Sequence, residues 1–142
     1  MRAEALLKMK QYKETMEDID AVLAQNPEEE TAILLRGKVK EANGQEEEAE
    51  TDYKFVTEIN PFNEQAYLYL GQLYINQKKL AEAIALFDEA IELNPNFAEA
   101  YYNRGTLLAL SGKLPEAFED FSRAIELNPL FAEAFYNRGM TQ

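Results

Sequence analysis

The chain repeats itself every 34 residues, and this period constrains its fold more than any other feature. Asn26-Pro27, Asn60-Pro61, Asn94-Pro95 and Asn128-Pro129 share one phase. Gly37, Gly71, Gly105 and Gly139 share another. Further columns read Ala49, Ala83, Ala117, then Tyr53, Phe87, Phe121, then Val22, Val56, Ala90, Ala124. Punctuation kept in register over most of a chain predicts one structural unit stacked on copies of itself.

The spacing inside a unit is helical. In residues 98–129, Tyr101, Gly105 and Leu108 fall close to one face of a first helix. Ala117, Phe121 and Ala124 line one face of a second at i, i+4, i+7. Ser111-Gly112 breaks the run between them, and Pro115 suits a first helical turn, where its missing N–H is harmless. Asn128-Pro129 ends the second helix, because the residue before proline avoids helical geometry. The apolar positions do not alternate, and Ala, Leu and Glu dominate, so the unit is a helical hairpin and the class is all-α. A mid-helix glycine returning at one phase predicts close helix–helix contact. Ala117 is expected to face it from the second helix, with Phe121 filling the space beside. One hairpin cannot bury both apolar faces, so hairpins stack.

Composition narrows the work such a stack performs. The net charge is −12, from 26 acidic and 14 basic residues, spread along the chain. That balance repels a nucleic-acid backbone or an anionic membrane and favours solubility. No apolar run approaches the roughly 20 residues that span a bilayer, so no direct membrane insertion is expected. Cysteine and histidine are both absent, which removes disulfides, thiolate chemistry and the imidazole base. The glycines follow helix geometry and form no phosphate-binding loop. Glu99 and Glu133 lie one repeat apart but lack a third ligand for a hard cation. No catalytic residue, metal or cofactor is therefore expected, and the chain reads as non-enzymatic.

These columns resemble the tetratricopeptide repeat family. The resemblance is carried by Tyr67, Leu70, Gly71, Tyr74, Leu80, Ala83, Phe87, Ala90 and Pro95, and by Tyr101, Arg104, Gly105, Leu108, Gly112, Ala117, Phe121, Ala124 and Pro129. The preceding unit matches through Ile33, Arg36, Gly37, Gly44, Ala49, Tyr53, Val56 and Pro61. On this register, residues 1–142 form one repeat domain. Residues 1–29 are a partial repeat, 30–63, 64–97 and 98–131 are full repeats, and 132–142 are the first helix of another. In the partial repeat Thr15 stands where Ala is usual and Ile19 replaces the aromatic. No polar capping helix follows residue 142, so the expectation is a fragment of a longer array, its terminal helix exposed or covered by further sequence or a second copy. Lys40 occupies a packing position where Tyr or Leu is usual. Glu46, Glu47, Glu48 and Glu50 open the next helix, where negative charge favours the helix dipole.

The resemblance implies a right-handed superhelical solenoid whose first helices line a concave groove holding a peptide segment or partner helix. Six columns of the register then face the groove, two of them (Glu41, Ile75, Ala109 and Ala42, Asn76, Leu110) towards the far end of each first helix and four before those. Those four run Thr31, Gln65, Glu99, Glu133; Leu34, Leu68, Tyr102, Tyr136; Leu35, Tyr69, Asn103, Asn137; and Lys38, Gln72, Thr106, Met140. The candidates for peptide contact are Tyr69, Gln72, Glu99, Tyr102, Asn103, Thr106, Glu133, Tyr136 and Asn137. Asn amides suit an extended backbone, and Tyr offers contact area at low entropic cost; the same Tyr positions also suit packing against the next hairpin. Members of the family that clamp the C-terminal carboxylate of chaperones use Lys and Arg in this groove. Asn103 and Asn137 partly match that clamp, but Glu99 and Glu133 replace its cations, so such tails are disfavoured and a neutral or basic segment is expected. Arg104 and Arg138 recur in a Tyr-Asn-Arg-Gly string and read as structural, their stems covering apolar surface. The competing reading is a spacer or self-association module that uses its unfinished ends and forms a homo-oligomer. Neither reading assigns a compartment.

Overall fold

A computed structural model describes residues 2–130 and 132–140, with side chains described over 9–130 and 136–140. Eight helices follow in order: α1 (Arg2–Gln25), α2 (Glu30–Ala42), α3 (Glu46–Ile59), α4 (Glu64–Asn76), α5 (Leu80–Leu93), α6 (Ala98–Leu110), α7 (Leu114–Leu127) and α8 (Ala132–Met140). There is no strand among the described residues. None of the described helices is long and apolar enough to cross a membrane.

The helix ends obey the expected punctuation. Asn60, Asn94 and Asn128 all leave the helix in extended geometry ahead of proline. Asn26, Asn94 and Asn128 then accept, through Oδ1, the backbone N–H two residues on, closing a small turn. Pro115 lies in the first turn of α7. The tight turns between paired helices need one left-handed residue, and Gly44 and Gly112 supply it at φ 82° and 81°. Lys78 takes that place in the middle turn at φ 62°, despite its side chain.

Residues 1–61 and 62–142 form two compact units. In the first, α2 and α3 are a hairpin and α1 packs on α2. Tyr12 Oη of α1 donates to Gln45 Oε1, and Asn60 Nδ2 donates to Glu30 Oε1 across the hairpin. Here α1 differs from the repeat register, which implies a turn near residues 9–11. It runs unbroken to Gln25. Met9-Lys10-Gln11 stands where the later units have Asn43-Gly44-Gln45 and Ser111-Gly112-Lys113, and it contains only helix-tolerant residues.

In the second unit α4 pairs with α5 and α6 with α7; α6 also packs on α5, and α8 on α7. Each hairpin closes around its glycine, but the facing group is the aromatic ring and not the alanine. A Cβ on Gly71 would lie 2.6 Å from Phe87 Cε1, and one on Gly105 would lie 2.9 Å from Phe121 Cε1. In the first unit Gly37 meets Tyr53 in the same way at 2.5 Å. The ring takes the space that a Cβ would fill, so the glycine column and the aromatic column are one device. Ala66, Leu68, Leu73, Ala83, Phe87, Ala90, Ala100, Leu107, Ala117 and Phe121 complete the core of this unit.

Candidate peptide-docking face of residues 62–142

Every groove candidate lies in the second unit, on its first helices: Tyr69 and Gln72 on α4, Glu99, Tyr102, Asn103 and Thr106 on α6, and Glu133, Tyr136 and Asn137 on α8. The side chain of Glu133 lies outside the described residues. Helix α6 touches α4 and reaches α8 through a hydrogen bond from Asn137 Nδ2 to Tyr102 Oη at 3.1 Å.

The polar groups on α6 are held by their own helix. Asn103 Nδ2 donates to the Glu99 carbonyl at 2.7 Å, and Thr106 Oγ1 donates to the Tyr102 carbonyl at 2.9 Å. With its amide nitrogen turned back, Asn103 presents Oδ1 as an acceptor. Asn137, whose nitrogen is given to Tyr102, is arranged alike. The Glu99 side chain is exposed on the same helix, one turn before Asn103. The result is a strip rich in acceptors, its amides already oriented.

The aromatic candidates divide. Tyr102 is half-buried, its ring tilted 48° against Phe121 with centroids 5.9 Å apart, so it serves the core as well as the surface. Tyr136 is 71% exposed. Tyr69 and Gln72 are half-buried. The register column that holds Tyr102 needs correction elsewhere: Leu34 and Leu68 are buried in their units and line no open face. A column defined by sequence position turns inward wherever its residue is a Leu that neighbouring helices can cover.

Sequence reasoning missed the acids that hold Arg104. Its Nε and Nη2 donate to the two carboxylate oxygens of Asp120 at 2.8 Å each, and its Nη1 donates to Asp88 Oδ1 at 2.9 Å. One side chain thus ties α5, α6 and α7 together. The Asp120 hydrogen bonds, opposed by burial and aided by Asp88, hold its guanidinium pKa well above the ordinary value. Arg36 grips Asp52 in the same two-pronged way at 3.0 and 2.7 Å, with Lys40 3.6 Å from that carboxylate. Lys40 also pairs with Glu48 at 3.6 Å, so the acidic start of α3 is matched locally. The signal lay in the repeat. Arg36 and Asp52 become Leu70 and Leu86 in the next unit, then Arg104 and Asp120 again. A pair 16 residues apart changes type together, as two groups in contact must.

Nearby, Tyr101 lies between two cations, with Arg104 5.6 Å and Arg123 6.0 Å from its ring centroid. A cleft of about 450 Å³ opens beside Ile84, Asp88, Arg104, Leu108, Lys113 and Asp120, but Arg104, Asp88 and Asp120 in it already serve one another. No group of three or more potential metal ligands occurs among the described residues.

Comparison with known proteins agrees with this fold. A tetratricopeptide repeat profile matches residues 98–131, and a second TPR repeat profile matches residues 71–112. Residues 71–131 are tetratricopeptide repeats. Among solved structures, the crystal structure of MamA is 26% identical, with a TM-score of 0.75 over 87% of this chain and 72% of that one. The first TPR of Spaghetti (RPAP3), bound to the HSP90 peptide SRMEEVD, is 27% identical, with a TM-score of 0.75 over 79% of this chain and 89% of that one. An O-GlcNAc transferase from Thermobaculum terrenum is 26% identical with a TM-score of 0.73, but the match spans 79% of this chain and only 22% of that one. No curated protein sequence matches. Tetratricopeptide repeats are protein-interaction modules, and the fold class expected from the register is the one these solenoid structures share.

Proposed function

We propose that residues 62–142 bind an extended peptide segment of a partner protein, as a non-catalytic adaptor. The observation that carries this reading is the acceptor strip of Glu99, Asn103 and Asn137, whose amide nitrogens are already committed within the chain. Oriented amide oxygens suit the N–H groups of an extended backbone, and the exposed ring of Tyr136 offers apolar contact beside them. The match to a repeat domain holding a peptide supports the same use of the fold. Charge favours a different ligand here. That peptide ends in two glutamates, a valine and an aspartate, whereas the exposed Glu99 repels acids. A neutral or basic segment is the complementary partner, and chaperone carboxylate tails are disfavoured.

The test is fluorescence anisotropy of the full chain with labelled peptides, one set neutral or Lys-bearing and one set ending as SRMEEVD does. We expect the first set to bind and the second not to. Asn103→Ala and Asn137→Ala should each weaken binding about five- to twentyfold, the worth of a hydrogen bond or two. Equal affinity for both sets, or indifference to the two Asn substitutions, rejects this face.

A second reading, self-association through the terminal helices, is favoured by α8. A Cβ on Gly139 would meet nothing within 4 Å, and Tyr136 and Met140 are exposed.

A further inference from the structure

The α2–α3 and α6–α7 hairpins carry the same cluster of charges with one member changed. In the α2–α3 hairpin Arg36 grips Asp52, and the Lys40 ammonium lies 3.6 Å from Asp52 and 3.6 Å from Glu48. The Lys40 side chain is only 16% exposed, so its stem is covered by neighbours while its charge bridges two carboxylates. Asp52 thus accepts a second cation although an arginine already holds both of its oxygens.

Two repeats on, Arg104, Glu116 and Asp120 stand in the columns of Arg36, Glu48 and Asp52, but Leu108 stands in the column of Lys40. The acids are kept and the ammonium is not. These residues open on the cleft of about 450 Å³ between α5, α6 and α7. Ile84 and Leu108, both half-buried, are its apolar part. Its charged lining holds four acids against two cations, so its field favours entry of a cation. Arg104 is engaged by Asp88 and Asp120. Lys113, in the column of Gln45, is exposed, and it forms no ion pair with Glu116 or Glu119. At about 100° a residue, Leu108 lies roughly half a turn of α6 from Glu99, so the cleft is separate from the acceptor strip.

We infer that this cleft receives a lysine side chain of a partner protein. Its ammonium meets Glu116 and Asp120 as Lys40 meets Glu48 and Asp52, and its methylene stem lies on Ile84 and Leu108. Lysine suits the place better than arginine. Arg104 already takes the two-pronged grip of Asp120, and an ammonium is a compact point charge that needs only one oxygen from each acid.

The probe is the peptide acetyl-Ala-Lys-Ala-amide, titrated into the isotope-labelled full chain while backbone amide shifts are followed by NMR. We expect saturable shifts at Arg104, Leu108 and Glu116, and none from the same peptide acetylated on its lysine Nε. Leu108→Lys supplies the ammonium from within, as Lys40 does, and should abolish the shifts with helical circular dichroism unchanged. Glu116→Gln, a surface change, should weaken binding about two- to fivefold, the worth of an exposed ion pair. Absence of saturable shifts in the wild type overturns the inference. So do shifts that survive Nε-acetylation, that persist in Leu108→Lys, or that ignore Glu116→Gln. A probe that binds only after Lys113→Gln shows that Lys113 already serves these acids, and overturns it too. Tighter saturation by spermidine than by the peptide assigns the cleft to free polyamines and likewise overturns it. Shifts confined to Glu99, Asn103 and Asn137 put the lysine on the acceptor strip; the inference then falls and the peptide-binding reading stands.

Discussion

Replacing Arg104 by Leu tests whether this arginine is a structural staple or surface decoration. Its three charge-assisted hydrogen bonds reach two acids in different circumstances. The Asp88 side chain is 55% exposed, so water re-solvates it and its loss costs no more than about 0.5 kcal/mol. The Asp120 side chain is 9% exposed and would keep its charge with no donor. Breaking a buried pair in this way costs about 3–5 kcal/mol. Arg104 is itself 24% exposed, so water can reach part of the site and the lower end applies. We expect Arg104→Leu to cost about 3 kcal/mol. The chain already contains the compensated version, since Leu70 and Leu86 occupy these positions in the preceding hairpin. Arg104→Leu/Asp120→Leu should therefore return to within about 1 kcal/mol of wild type. The assay is urea unfolding followed by circular dichroism, fitted with nearest-neighbour coupling between hairpins because stacked repeats need not unfold in one step. A single variant that costs under about 0.5 kcal/mol, or a double variant as unstable as the single, refutes the reasoning.

Three further outcomes follow from the same structure. Gly71→Ala and Gly105→Ala should each destabilise by about 1–2 kcal/mol, because overpacking against a buried ring outweighs the helix propensity of Ala, whereas Gly139→Ala should be neutral or slightly stabilising in the open space of α8; thermal melts of the three variants compare them. Lys78→Gly should raise stability by about 0.5–1 kcal/mol in urea titrations, since the left-handed backbone at φ 62° strains a side-chain-bearing residue. Burial, with Glu89 adding repulsion, raises the phenol pKa of Tyr67, so its stabilising effect is full below the ordinary tyrosine range and is lost as pH climbs through the raised value. Ultraviolet titration should show a late-ionising tyrosine that disappears in Tyr67→Phe.

How much of the site could be read beforehand differs by residue. Asn103 and Asn137 fall in one column by register, because a helix places residues 34 apart at equivalent positions in successive units. Which way their amides turn could not be read, since it depends on the Glu99 carbonyl and the Tyr102 hydroxyl. Tyr102 and Leu68 share a column yet differ in burial, because exposure is set by what the neighbouring helix puts opposite. Arg104 was recognised as structural, but Asp120 and Asp88 were not recognised as its partners. The joint change of residues 70 and 86 to Leu was the legible sign.

The sequence by itself determined the helices, their ends and their pairing. Those outcomes depend on local chemistry: proline constraining the residue before it, glycine taking the left-handed turns, and apolar spacing choosing a buried face. Tertiary structure alone decided that the glycine column receives an aromatic ring, that one arginine joins three helices, and that Asp18 and Val22 are left exposed. These are matters of which surfaces meet. Residues distant along the chain settle them through shape and charge across a contact, where no local signal reaches.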